Sequence, residues 1–310
     1  MTFQQLEYIV AVDKHRHFVN AATACGVTQA TLSGSIQKLE EEIDVIIFDR
    51  SKRPIEPTAL GKRIISQAQI ILHNSADLRS LVQDEKRDER GALRIGMLPS
   101  VAPYLYPAFA RLMRDQHAGV ETFVYEAPAA RLVEQVHGAE LDMAFLASPM
   151  LADTNLLELE LYQERFVAYV SPAHPLSARE WVRPEDLQDG DLWVLADIHD
   201  RYPDLAAVTH GESLHRTFLQ TGSLSTLVAL VDACGGYTLL PALYDRCLDA
   251  ERAARLRPIQ SPRFFRTVSL AIRRDYMRER LLNVVVDTLK QIVPQDMLVT
   301  RLKKFDKITL

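Results

Sequence analysis

The chain has 310 residues, 47% hydrophobic and 25% charged, with a formal net charge of −5 and a pI of about 6.0. That length and balance give two or three domains with a sizeable core and exclude a disordered or fibrous chain. No apolar run reaches membrane length, the start lacks a signal-peptide pattern, and the three cysteines (Cys25, Cys234, Cys247) form no disulfide framework, so a cytoplasmic location with no membrane partner is expected.

The first 60 residues form three short helical patterns. Phe3, Leu6, Ile9 and Val10 give the first, and Phe18, Ala21, Ala22 and Cys25 the second. Gly26 then imposes a tight turn. In the third pattern Leu32, Ile36, Leu39 and Ile43 share one stripe, because their spacings of four, three and four keep them on one helix face. The remaining surface carries Thr28, Gln29, Thr31, Ser33, Gln37 and Lys38, with small Ala30 and Gly34 among them. Short hydroxyls and amides at a helix start can read base edges and phosphates in a major groove. Taken alone, this is equally an amphipathic helix with a solvated face. Its setting, helix then tight turn then polar-faced helix, is the helix-turn-helix arrangement.

Overall acidity argues against nucleic acid, because binding domains are often basic. The positive charge here is local. Arg50, Lys52, Arg53, Lys62 and Arg63 follow one another with only Glu56 against them. A short apolar strand within Asp44–Asp49 and the basic, proline-marked stretch Arg50–Pro57 predict a wing whose cations reach phosphates or the minor groove. The alternative is a solvated hairpin. From Thr58, placed as an N-cap, Leu60, Ile64, Ala68, Ile71, Ser75, Leu78 and Val82 alternate in steps of four and three. This heptad predicts a helix about 40 Å long that needs a partner, either a second copy of the chain or the chain's own regulatory domain. Gln83–Arg90 is a mixed charge run that reads as a linker.

Beyond Gly91 strands and helices alternate. Strands are expected at 92–97, 122–125, 143–146, 166–170, 192–195, 237–240 and 266–272. Helices are expected at about 103–116, 129–138, 224–233, after Pro241, and at about 278–292. That order predicts an open, mostly parallel sheet.

The residues Phe18-Val-Asn-Ala-Ala, Val27-Thr-Gln-Ala-Thr-Leu-Ser, Ile36-Gln-Lys-Leu-Glu-Glu-Glu-Ile43, Ile47-Phe-Asp-Arg50 and Pro57-Thr-Ala-Leu-Gly61 match the LysR-type transcriptional regulators in order and spacing. One departure is Ala30, where many members carry proline. The resemblance implies an α plus α/β architecture: a winged helix-turn-helix over 1–60, a linker and dimerisation helix over 58–90, and a regulatory domain over 91–310. That domain resembles periplasmic binding proteins, with subdomain I at 91–164 and 270–300, subdomain II at 165–269, and a cleft between them for an effector. It further implies a homodimer or homotetramer on an inverted-repeat site in double-stranded DNA, RNA polymerase as a candidate partner, no cofactor and no enzymatic activity. The DNA-contacting set is then Thr28, Gln29, Thr31, Ser33, Gln37, Lys38, Arg50, Lys52 and Arg53.

Ile95–Pro107, Gly222–Leu227, Gly236–Leu243 and His15–Phe18 resemble the peroxide-sensing OxyR branch of that family. Members of the branch sense peroxide with a cysteine directly after a histidine, and a second cysteine nine residues later. Here the histidine aligns with His199, but Asp200 stands at the cysteine position and Thr209 at the second. An aspartate has no sulfur nucleophile, so thiol chemistry does not carry over. Two readings stand: an activator of peroxide-inducible genes in which Asp200 mimics an oxidised, charged cysteine, or a regulator of a small anionic metabolite. Cleft candidates are Ser100, His199, Asp200, Arg201, Ser223 and Ser225. Two helix starts would favour an anion there, and Arg201 would pair with a carboxylate; the alternative is that the serines only cap helices. His199, Asp200, His210 and His215 match no metal-ligand spacing, so no metal is assigned. The P-loop, G-x-S-x-G and H-E-x-x-H signatures are absent from the sequence. Cys25 and Cys234 are expected as small buried hydrophobes, and Cys247 on the helix after Pro241.

Overall fold

A computed structural model describes residues 1–85, 91–148, 156–188, 192–195, 217–219, 223–261, 264–276 and 278–304. The chain divides into two compact units. The first is Met1–Asp88 with Glu134–Leu141, and the second is Glu89–Val133 with Asp142–Leu310.

In the first unit α1 (Phe3–His15) starts at Thr2, whose hydroxyl accepts from the Gln5 amide while the Gln5 side chain accepts from the Thr2 amide. This reciprocal cap satisfies two amides that no helical carbonyl can reach. Gln5 Nε2 also donates to Ser35 O at 3.3 Å, tying α1 to the third helix. Helices α2 (Phe18–Ala24) and α3 (Gln29–Ile43) are joined through Gly26, at φ +67°. That left-handed conformation costs a glycine nothing, and it allows a turn of only a few residues. Leu32, Ile36 and Leu39 are fully buried with Leu6, Ile9, Val12, Ala21 and Ala22, and Ile43 packs at the edge.

The wing is a two-stranded hairpin, β1 (Phe48–Asp49) with β2 (Glu56–Pro57), shorter than the apolar run suggested. Helix α4 (Ala59–Glu85) follows, and Thr58 Oγ1 accepts from the Gly61 amide at 2.9 Å. Its Ile65 and Ala68 complete the helix-turn-helix core, with Ile64 and Leu72 packed at the margin. Leu60, Ile71 and Leu78 lie exposed. The heptad positions therefore do not act as one stripe: Ala68 turns inward, while the other three leave an apolar seam facing outward.

The second unit holds a nine-stranded sheet in the order β4 (Val120–Glu126), β3 (Gly91–Met97), β5 (Met143–Ser148), β11 (Phe265–Arg273), β6 (Leu156–Val170), β9 (Tyr237–Pro241), β7 (Leu192–Leu195), β8 (Thr217–Leu219), with β10 (Leu256–Pro258) also on β6. β3 (Gly91–Met97) pairs parallel with β4 (Val120–Glu126) and β5 (Met143–Ser148). The crossover helices are α5 (Ala102–Gln116) and α6 (Ala129–His137). α5 buries Tyr104, Leu105, Phe109 and Met113. β6 runs from Leu156 to Val170, ten residues longer at its start than the apolar run at 166–170 suggested. Its first part alternates Leu with Glu158 and Glu160, a half-buried pattern that an apolar-run criterion misses. β7 (Leu192–Leu195) pairs parallel with β8 (Thr217–Leu219), and α7 (Leu224–Cys234) leads into β9 (Tyr237–Pro241). The expected helix after Pro241 is a 3₁₀ turn over Ala242–Cys247. β10 (Leu256–Pro258), which has no sequence signature, precedes β11 (Phe265–Arg273). α8 (Glu279–Ile292) and α9 (Thr300–Lys304) close the chain, α8 burying Leu282, Val285, Val286 and Leu289.

β11 lies antiparallel between β5 and β6, and the second part of β6 pairs with β9 and β10. The sheet is thus parallel at both ends and antiparallel in the middle, and β6 belongs to both halves. Cys234 is exposed, not buried as expected, because it is the last residue of α7, where the chain turns out at Gly235. Cys25 is half-buried and Cys247 exposed.

Candidate nucleic-acid interface and effector site

The stripe of α3 opposite its buried leucines is open. Thr28, Gln29, Thr31, Gln37 and Lys38 are exposed, and Ser33 is half-buried. Thr28 is the N-cap; its hydroxyl accepts from the Thr31 amide at 3.2 Å and meets Thr31 Oγ1 at 2.8 Å. Gln37 Nε2 is engaged by Glu41 Oε1 one turn on, at 3.0 Å. A Cβ on Gly34 would have nothing within 4 Å.

The wing cations are not equivalent. Lys52 Nζ pairs with Glu56 Oε2 at 2.6 Å across the hairpin, and both side chains are about half exposed. The pairing raises the Lys52 pKa and lowers that of Glu56. Arg50 Nη2 donates to Glu40 Oε2 at 2.9 Å, and its guanidinium lies 5.4 Å from the Phe18 ring centroid. Arg53 and Lys38 are exposed and have no ion pair among the described residues.

Glu40, which the sequence reading passed over as one of three glutamates in a row, is the hub of this unit. Its Oε1 accepts from the amides of Ile47 at 2.7 Å and Phe48 at 3.2 Å, where the chain enters the wing. The carboxylate thereby satisfies both amides from α3.

In the second unit the structure centres on a pair that sequence reading missed. Arg266 of β11 and Glu164 of β6 stand opposite each other in register, and Nε donates to Oε1 at 2.8 Å. Both side chains are almost wholly buried, 1% and 0% exposed. Arg266 Nη1 donates to Ser100 Oγ and Nη2 to Ser100 O, each at 2.9 Å. Nη2 also reaches Tyr104 Oη at 3.0 Å, while Tyr104 donates to Glu164 Oε1 at 2.6 Å and meets the Tyr162 hydroxyl at 3.1 Å. Burial, with the Glu164 charge beside them, pushes both tyrosine pKa values up. Glu164 lies before the strand expected at 166–170, so the pairing became visible only with the full length of β6 and its register.

Ser100 is therefore a hydrogen-bond partner of a buried arginine and not a helix cap. Val101 is the N-cap of α5 and makes no side-chain cap bond. Ser223 does cap α7: its hydroxyl accepts from the Thr226 amide at 3.3 Å and meets Ser225 Oγ at 3.0 Å. His199, Asp200 and Arg201 lie outside the described residues, as do Thr209, His210 and His215. Partial desolvation of the sulfur raises the thiol pKa of Cys247, with Asp245 adding to it, and desolvation then Glu7 do the same at Cys25. Neither is set up as a reactive thiolate.

A helix-turn-helix with an open polar face, a wing and a long following helix, carried with a separate α/β unit, defines a DNA-binding transcriptional regulator. Two family signatures cover the chain: "Bacterial regulatory helix-turn-helix protein, lysR family" over residues 3–62 and "LysR substrate binding domain" over residues 86–293. The chain belongs to the LysR family, whose members are DNA-binding regulators and not enzymes. Among its relatives is the hydrogen peroxide-inducible genes activator of Haemophilus influenzae, 30% identical over 300 residues that cover 94% of this chain and 99% of that one. The DNA-binding transcriptional dual regulator OxyR of Escherichia coli is 33% identical over 244 residues, 78% of this chain and 80% of the relative. A full-length OxyR from Pseudomonas aeruginosa with aspartate substituted for a cysteine superposes with a TM-score of 0.82 at 29% identity, covering 97% of this chain and 98% of that chain. The chain is thus a LysR-type transcriptional regulator resembling OxyR. Among the described residues no helix is long and apolar enough to cross a membrane.

Proposed function

We propose that the chain binds an inverted-repeat promoter site as a dimer or tetramer and alters transcription in response to a small effector in its second unit. The observation that carries this reading is the exposed face of α3, held on a closed core by Leu32, Ile36 and Leu39. Thr28, Gln29, Thr31 and Ser33 are the residues we place against base edges, with Gln37, Lys38, Lys52 and Arg53 toward phosphates. The seam of Leu60, Ile71 and Leu78 on α4 supports pairing with a second chain, since water otherwise covers three large apolar side chains on one helix. RNA polymerase is the partner such a regulator acts on.

The relatives' names favour peroxide-inducible genes as the targets, and Asp200 separates this chain from a cysteine switch. The closed arrangement around Ser100 favours a small neutral effector over an anionic one. Arg266 already spends donors on both oxygens of Ser100, and Glu164 balances its charge. An incoming anion would have to displace these bonds and would face a buried carboxylate. Footprinting of the full chain on the DNA upstream of its own gene, at fixed salt, tests the reading. Two protected half-sites support it, and no protection refutes it. Protection that changes with peroxide in a variant lacking all three cysteines identifies a sensor other than a thiol.

A further inference from the structure

We infer that Arg50 does not touch DNA and that, with Glu40, it is a positioning residue seating the wing on the recognition helix. The inference rests on the DNA-binding reading above. Three elements meet at this guanidinium. α3 supplies Glu40 Oε2 at 2.9 Å, α2 supplies the Phe18 ring at 5.4 Å, and β1 carries Arg50 itself one residue past its end. The same Phe18 ring packs edge-on against Phe48, at 6.2 Å between centroids, and the Phe48 amide returns to Glu40. The ring of contacts is closed, so the wing's first strand cannot shift against α3 without breaking a charge-assisted bond or uncovering Phe48, which is 1% exposed. The Glu40 side chain is only 12% exposed, whereas the Lys52–Glu56 pair is open on both sides. An arginine that left this clamp for a phosphate would strand that carboxylate near the polyanion. Arg53 carries no such commitment, so of the two wing arginines it is the one available to DNA.

Electrostatics alone predicts the opposite result for Glu40, which makes the test sharp. Removing a negative charge near DNA strengthens binding when the group has no other role. Seating predicts weaker binding. Glu40→Gln is the informative change: Oε1 remains to accept the Ile47 and Phe48 amides, while the new amide faces Arg50 donor to donor. Affinity of the full chain for a labelled duplex spanning the DNA upstream of its own gene is measured across a salt series, with thermal unfolding of each variant alongside. Arg53→Ala should lower the slope of log affinity against log salt by about 0.9, the signature of one lost phosphate contact. Arg50→Met and Glu40→Gln should each weaken binding with the slope unchanged, and the double variant should lose no more than the worse single. A slope lowered by Arg50→Met, or binding strengthened by Glu40→Gln, overturns the inference. If Glu40→Gln does not fold, the Arg50→Met slope decides alone. If the unmodified chain binds no duplex, the DNA-binding reading has failed, which is a different result from either.

Discussion

Gly61 and Gly34 are both helical glycines, and replacing each with alanine should move stability in opposite directions. Alanine in a helix interior gains about 1 kcal/mol over glycine in propensity. At Gly34 nothing lies within 4 Å of the new Cβ, so Gly34→Ala should keep that gain. At Gly61 the Cβ would stand 2.1 Å from Ile47 O, 2.9 Å from Ile47 C and 3.0 Å from Thr58 Oγ1. Two of these atoms are backbone, so no rotamer relieves the clash. Overpacking of this kind costs about 1–3 kcal/mol. Backing α4 away also strains the Thr58 amide bond to Ile47 O and the Thr58 Oγ1 bond to Ile46 O, both 2.9 Å and each worth about 1 kcal/mol. The clash therefore outweighs the propensity gain, and Gly61→Ala should lose about 2 kcal/mol net. Urea unfolding followed by circular dichroism, with both variants beside the parent, reads the difference. A Gly61→Ala protein as stable as the parent would refute the packing of α4 against the Ile46–Ile47 backbone.

Arg266→Met should cost about 3–5 kcal/mol by leaving a buried carboxylate unpaired, and adding Glu164→Met should recover part of that loss; equal midpoints for the single and double variants would argue against a buried pair. Tyr169, whose hydroxyl donates to Asp232 Oδ1 at 2.6 Å, is pushed up to about 12 by burial first and by that bond second. A folded value raised above the ordinary 10 means the contribution is complete below pH 10 and lost as pH rises to about 12. Stability should therefore fall more steeply across that window in the parent than in Tyr169→Phe, as read by urea midpoints. Alkylation at neutral pH should be slow at Cys25 and Cys247, whose thiols are held above their ordinary pKa, and fast labelling followed by mass spectrometry would contradict that.

What the sequence made legible was the first unit. There each helix buries a stripe set by its own period, and the caps at Thr2, Thr28 and Thr58 are local in sequence. What it hid was set by pairing across long separations. Arg266 and Glu164 are 102 positions apart, and only strand register puts them face to face. The early half of β6 carries glutamates that mask it as a strand, and β10 has three residues with no periodicity to read. Glu40 sits in a run of three acidic residues, and only the fold separates it from Glu41, which pairs within its own helix, and exposed Glu42. The bond from Arg266 to Ser100 was hidden for the same reason, because the two residues lie 166 positions apart.

The continuity of β6 has a mechanical meaning. One fifteen-residue strand is hydrogen-bonded to β11 in its first part and to β9 and β10 in its last, so the two halves of the sheet share a single ribbon. A ribbon hydrogen-bonded along its length to its neighbours resists sliding and yields to torsion. The buried Arg266–Glu164 pair grips it two residues before Phe166, the first to pair with β9, as a vice grips a leaf spring near its midpoint. Any force passed from one half of the sheet to the other runs along this strand and past the ion pair seated on it.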